Sequence, residues 1–309
     1  MRWLAAIAFF AADFVASGAG ATPDINRTAL LALQATDLRV ASVAHRLSTA
    51  NIAICPNQTP QLGFSLHALA QYGGAFRNSA KAVFGLGDDP TILAIVAEGA
   101  AANAGLGVGD ALVAVGATRL RSAAVTTKQS YDAVREAESA LDNGPKTRPL
   151  KLTIRRGGAE QVVNVYAKPG CASRVVVEPG GKLNAYADGT YVKLTSGVAE
   201  YAANEGELAA IIAHEMAHNL LAHQARLDQI GRSRANILAT EIEADKFSVR
   251  LLAGAGYDPL VAARFWARFG KKTGAGIFAT GTHLRTKARV AMLEEEAAKL
   301  ATNETPPAQ

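Results

Sequence analysis

Residues 214–218 read His-Glu-Met-Ala-His, two imidazoles four positions apart with a carboxylate beside the first. On an α-helix, positions i and i+4 lie on one face a turn apart, so both imidazoles can reach one metal ion. Glu215, adjacent to the first of them, can then take a proton from an attacking water. A catalytic zinc takes three protein ligands and keeps a fourth position for water. His223 follows His218 by five residues and falls well off the ligand face. A metzincin arrangement would need Gly at 221 and His at 224, where the chain has Leu221 and Gln224. The third ligand is therefore sought on another helix, and the run Glu241-Ile242-Glu243-Ala244-Asp245 offers carboxylates after one helical return. Such a run is equally what a solvated acidic helix face looks like.

Residues 204–230 open with Asn204 and Glu207 in capping-box spacing and contain neither Gly nor Pro from Glu207 to Ile230, which predicts one long helix. After Gly231, residues 233–253 predict a second, with Ser233 as its N-cap. Far upstream, residues 28–53 carry Leu31, Leu38, Val43 and Leu47 at helical spacing and end before Cys55-Pro56. Residues 62–86 give no clear pattern. From Pro90 the period changes to short strands: 91–99, then a short helix from Ala100, a turn at 107–110, and a strand from Ala111. A charged helix over 128–141 stops at Asn143-Gly144-Pro145, and strands 150–156 and 161–166 pair through Gly157-Gly158. Residues 184–198 read as a strand segment with a turn at Asp188-Gly189.

The chain has 309 residues, 49% apolar and 19% charged, which suits about two packed cores. Its net charge of +5 is scattered, with Arg155-Arg156 and Lys271-Lys272 as the doublets, and excludes a dedicated nucleic-acid groove. Met1-Arg2-Trp3, the apolar run Leu4–Val15 and Ala19-Gly20-Ala21 follow the order of a secretory signal, with cleavage expected after Ala21. No Cys directly follows the run, which argues against a lipoprotein anchor. No later stretch has the ~18 consecutive apolar residues of a spanning helix. The expectation is a periplasmic or otherwise exported chain with no transmembrane segment once mature. In that setting Cys55 and Cys171 are a disulfide candidate, with two buried thiols as the other reading.

Residues 84–167 resemble a PDZ domain of the bacterial protease type. The resemblance rests on Ile95-Val96, Gly99-Ala100-Ala101, Ala104-Gly105-Leu106, Gly109-Asp110 and Leu112–Val115, although Gly99-Ala100 replaces the usual Ser-Pro and Gly116-Ala117 the usual Asn-Gly. It implies an extended or C-terminal peptide ligand added to a sheet edge. Gly85, Leu86 and Gly87, after Phe84, are the expected carboxylate loop. Cys55 and Cys171 would flank this insert.

His214–His218 followed by Glu241-x-x-Ala244-Asp245, over residues 184–295, resembles the zinc metallopeptidases that include the CAAX prenyl endopeptidases, the HtpX heat-shock proteases and the BepA-like proteases. The resemblance implies one Zn2+ per chain held by His214, His218 and Glu241. It makes Glu215 the general base and Asp245 a supporting carboxylate. Ala255–Pro259 matches a further family segment, and Thr282-His283 with Arg289 resembles a segment near the cleft, with Leu284 in place of the usual Pro. It suggests His283 or Arg289 for oxyanion stabilisation. The segment at 184–198 resembles the family strand beside the cleft.

The expected molecule is α+β: a mostly helical zincin-like metallopeptidase core with a small antiparallel sheet, plus an inserted β-rich PDZ domain. Its parts are a signal peptide at 1–21, a core built from 28–55 and 172–300, the insert at 84–167, and a disordered tail at 301–309. Exported protein or peptide substrates are expected. The alternative is a PDZ-bearing scaffold or chaperone with an inactive zinc site.

Overall fold

The structure is a computed structural model that describes residues 25–122, 128–145, 149–273 and 284–303. The expected signal peptide, His283 and residues 304–309 lie outside the described residues. Helix α1 (Ile25–Ala50) faces two cores. Val40, Val43, Ala44 and Leu47 recur at helical spacing and enter the larger one, whereas Leu30 packs with Leu69, Ala80 and Leu86.

After α1 the chain forms β1 (Gln58–Gln61), β2 (Phe64–His67), α2 (Gly74–Phe84), β3 (Thr91–Ile95), α3 (Ala100–Asn103), β4 (Ala111–Val115), β5 (Thr118–Arg119), α4 (Asp132–Asp142), β6 (Leu150–Arg156), β7 (Ala159–Val165) and β8 (Lys168–Cys171). Strands β2-β3-β4-β6-β7 make one sheet in that order, with β5 paired to β4. Leu150, Leu152 and Ile154 of β6 point alternately into a core shared with Leu112 of β4 and Val134, Ala137 and Leu141 of α4. The sheet starts at Phe64, not at residue 84. Phe64 to His67 pair β2 antiparallel with β3, and Leu62, Phe64 and Leu66 pack in the core of this sheet. At its start, Gly63 has φ +79°, and a Cβ there would lie 2.8 Å from the Cα of Gly99, so only glycine fits without a shift.

Strands β1 and β8 pair antiparallel, side by side where the chain leaves and re-enters the larger core. At the foot of this stem Cys55 and Cys171 are joined in a disulfide with Cα atoms 5.3 Å apart.

The larger core continues with β9 (Arg174–Glu178), β10 (Ala185–Ala187), β11 (Tyr191–Thr195), α5 (Ser196–Tyr201), α6 (Glu205–Leu220), α7 (His223–Ile230), α8 (Arg234–Gly254), α9 (Val261–Thr273) and α10 (Thr286–Asn303). Its sheet has the order β10-β11-β9 and is mixed rather than antiparallel: β10 and β11 form a hairpin, while β11 runs parallel to β9. After β9 the chain passes to the far edge before turning back, so β11 fills the centre in the direction of β9. Residues 301–303, expected in the tail, belong to α10, which runs to Asn303.

Asn204 caps α6 by accepting from the Glu207 N–H at 3.0 Å, and the Glu207 carboxylate accepts from Ala203 N–H at 2.8 Å. The single helix expected over 204–230 is broken between Leu220 and His223. Ala222 adopts the left-handed conformation there (φ 52°) and α7 starts after it at His223. Ser233 caps α8, accepting from Asn236 N–H at 3.2 Å. No helix among the described residues is long and apolar enough to cross a membrane.

Candidate metal centre

Helices α6 and α8 pack together and bring three donor atoms to one point. His214 Nε2 and His218 Nε2 lie 3.3 Å apart, and Glu241 Oε2 lies 3.3 Å from the first and 3.6 Å from the second. Donors held about 2.0–2.1 Å from a tetrahedral zinc stand about 3.3–3.4 Å from each other. The triangle therefore fits zinc as it stands, and two imidazoles with one carboxylate are a donor set of open catalytic sites. Among the described residues, this is the one His/Cys/Asp/Glu group close enough to hold a metal.

The triangle is asymmetric in its surroundings. The His214 side chain is 2% exposed, against 16% for His218 and 13% for Glu241, so the His218–Glu241 side is the more open one. Glu215, the residue after His214, is buried on the same helix.

Behind His214 sits a buried ion pair. Asp245, one turn after Glu241 on α8, accepts from His214 Nδ1 at 2.9 Å and receives two bonds from Arg289 of α10, at 2.6 and 2.8 Å. The Arg289 guanidinium lies 3.5 Å from the Trp266 ring centroid, and that ring meets His214 edge-on at 5.6 Å. Burial alone would raise the Asp245 carboxyl, but the charges of Arg289 and His214 outweigh it and hold it at about 2. Burial alone would likewise lower His214, yet the Asp245 charge and the carboxylate hydrogen bonds lift it to about 10 when no metal competes for the ring. With Nδ1 bonded to Asp245, the Nε2 atom is the one directed to the metal.

The structure thus gathers His214, His218, Glu241 and Asp245 at one centre. Arg289 departs from expectation. It is buried behind Asp245 and braces it, rather than facing the open side where an oxyanion would form. The loop expected at Gly85-Leu86-Gly87 departs as well. Gly85 is the left-handed C-cap of α2 (φ 65°), and Leu86 is 2% exposed in the small core with Leu30 of α1. Leu86 is buried because α1 covers this end of α2, so no sheet edge opens there. One edge of the sheet is β2, entered through Leu62-Gly63-Phe64, and the other is β7.

Two further residues acquire a place that sequence reasoning did not give them. Asn219, next to His218, accepts from Gly189 N–H at 2.8 Å and donates to Ser173 Oγ at 3.1 Å, which ties the β10–β11 hairpin to α6 beside the centre. His223, too far around an unbroken helix to matter, places Nδ1 3.0 Å from His218 Nδ1. No local sequence signal marks Asn219; the helical pattern around it hid its contact with a turn thirty residues upstream.

Comparison with protein families adds one finding. The model of peptidase family M48 matches residues 154–239, from β6 into the start of α8. The match supports the M48 metallopeptidase family. It contains His214, Glu215 and His218 and ends two residues before Glu241, so the third donor stands on the geometry above. No curated protein matches the chain.

Proposed function

We propose that the chain is a zinc-dependent endopeptidase acting on extended or unfolded segments of exported proteins. The observation that carries the reading is the near-tetrahedral triangle of His214, His218 and Glu241 donors, with a buried Glu at the position after the first histidine. Zinc bound there would supply a polarised scissile carbonyl and a water acidified toward neutrality. Glu215 takes the proton of the attacking water on its carboxylate and returns it to the amine nitrogen of the leaving half. Asp245, held by Arg289, keeps His214 in the tautomer that presents Nε2. His283, outside the described residues, is left as the oxyanion candidate.

Two sheet edges suit an extended substrate. Strand β10 ends the small sheet beside α6, and β2 ends the larger sheet. Among the described residues each leaves one side of its backbone without a strand partner, which is where a peptide adds by backbone hydrogen bonds. In this reading β10 aligns the segment to be cut, and the inserted PDZ-like unit holds a second extended or C-terminal segment along β2. Export is supported by the leader-like order of residues 1–21 and by the paired cysteines.

The test is cleavage of unfolded casein by the wild type and Glu215→Gln, with zinc content measured in both. Zinc in both and cleavage by the wild type alone is expected. Zinc in both without cleavage by either overturns the peptidase and leaves the scaffold reading.

A further inference from the structure

We propose that His223 and Glu243 form a positioning relay that sets the tautomer and orientation of the metal-binding ring of His218. The inference rests on the metal-centre reading above and assigns a role to two residues that lie outside the donor triangle.

His218 directs Nε2 at the other donors, so in the neutral ring its proton sits on Nδ1. That Nδ1 lies 3.0 Å from His223 Nδ1, and two imidazole nitrogens bond only when one of them lacks a proton. His218 therefore donates, and His223 accepts on Nδ1 and carries its own proton on Nε2. His223 Nε2 lies 3.3 Å from Glu243 Oε2, which accepts that proton's bond and is itself held by Arg226 Nη1 at 2.8 Å. Each link fixes the next, from a surface ion pair inward to the ring at the centre. The His223 side chain is 2% exposed, so its two nitrogens have these partners rather than bulk water.

The backbone is bent to make this contact. On a continuous helix, five positions carry a side chain about 140° around the axis from His218. The chain instead breaks at Ala222, the one non-glycine residue with positive φ among the described residues, and α7 restarts with His223 turned back under His218. A left-handed alanine costs about 1 kcal/mol or more, so the break is retained against a local penalty. The two metal-binding rings consequently have unlike anchors: His214 a charged, buried carboxylate, His218 a neutral imidazole whose carboxylate lies one step further out.

The test is zinc affinity by chelator competition, with the visible spectrum of the cobalt(II)-loaded protein as a probe of the ligand field. Wild type, His223→Phe and His223→Gln are compared. The first variant keeps bulk but no acceptor; the second keeps an oxygen for His218 and an N–H for Glu243. A 10–100-fold weaker zinc affinity with altered cobalt bands is expected for His223→Phe, with most of the loss recovered in His223→Gln. A His223→Phe protein within twofold of wild type and spectrally unchanged overturns the relay. A wild type that binds no zinc overturns the metal reading itself, and the relay with it. Long-range nitrogen NMR on the unmutated zinc-loaded protein needs no variant to fold: the Nδ1–H tautomer of His218 with the Nε2–H tautomer of His223 is expected. An Nδ1–H tautomer of His223 contradicts the relay.

Discussion

Replacing Arg289 by methionine tests how the metal centre is braced. The substitution keeps length and apolar bulk but removes both hydrogen bonds to Asp245 and the cation over Trp266. Asp245, 2% exposed, would keep its charge without its main counter-ion. Breaking one side of a buried pair costs about 3–5 kcal/mol when the remaining charge is left uncompensated, and the His214 imidazolium that still faces Asp245 without metal offsets part of this. A fully desolvated cation over an indole adds about 2 kcal/mol, part of which the methionine sulfur recovers by its own contact with the ring. The expected loss is about 3 kcal/mol, a fall in midpoint of roughly 6–12 °C for a domain of this size. Urea unfolding followed by circular dichroism, with chelator present, isolates this from metal binding. In Arg289→Met/Asp245→Asn no charge is left stranded, so the double variant should be more stable than the sum of the two single losses implies, by about 1–3 kcal/mol. A loss under about 1 kcal/mol for Arg289→Met, or strict additivity in the double variant, refutes the bracing argument.

Three more predictions test the frame around the site. Burial on α1 lifts the Asp37 carboxyl to about 7, well above its unfolded value. Stability is then greatest below pH 4 as far as this group is concerned, and falls by up to about 4 kcal/mol as pH rises from 4 to 7. Asp37→Asn should remove that slope and stabilise the protein at pH 8; an unchanged profile contradicts the burial. Cys55 and Cys171 are separated by 116 positions, and a cross-link over such a loop stabilises by about 5 kcal/mol in the chain-entropy view. Cys55→Ser/Cys171→Ser should lower the urea midpoint accordingly, and an unchanged midpoint shows that the cross-link constrains nothing. Gly63→Ala, forcing a Cβ against Gly99, should cost about 1–3 kcal/mol in the inserted unit and leave zinc content intact. Equal hydrogen-exchange protection of β2 and β3 in the variant and wild type argues against the close approach.

The donors on α6 and the capping signals were legible because both are local: His214 and His218 need only helical period, and Asn204 and Ser233 announce helix starts. Glu241 and Asp245 could be proposed but not placed, since their meaning depends on α8 returning along α6. The break at Ala222 was hidden because alanine is the best helix former, and nothing nearby signals a left-handed residue. Strand β2 went unread because it is only four residues long, Phe64 to His67, within a stretch that shows no sustained period. Arg289 was misplaced toward the open side because its partner Asp245 is 44 positions away, and only packing reveals the pair. The parallel pairing of β9 with β11 is likewise absent from any strand's own sequence, since period two fixes faces and not neighbours.

The open three-donor metal centre is probed by X-ray absorption at the zinc edge of the metal-loaded wild type, read beside Glu241→Ala. An open catalytic centre predicts two imidazole nitrogens, one carboxylate oxygen and one further oxygen from solvent, with the metal weakened or lost in the variant. Four protein donors at the metal, or a coordination sphere unchanged in Glu241→Ala, would contradict the account.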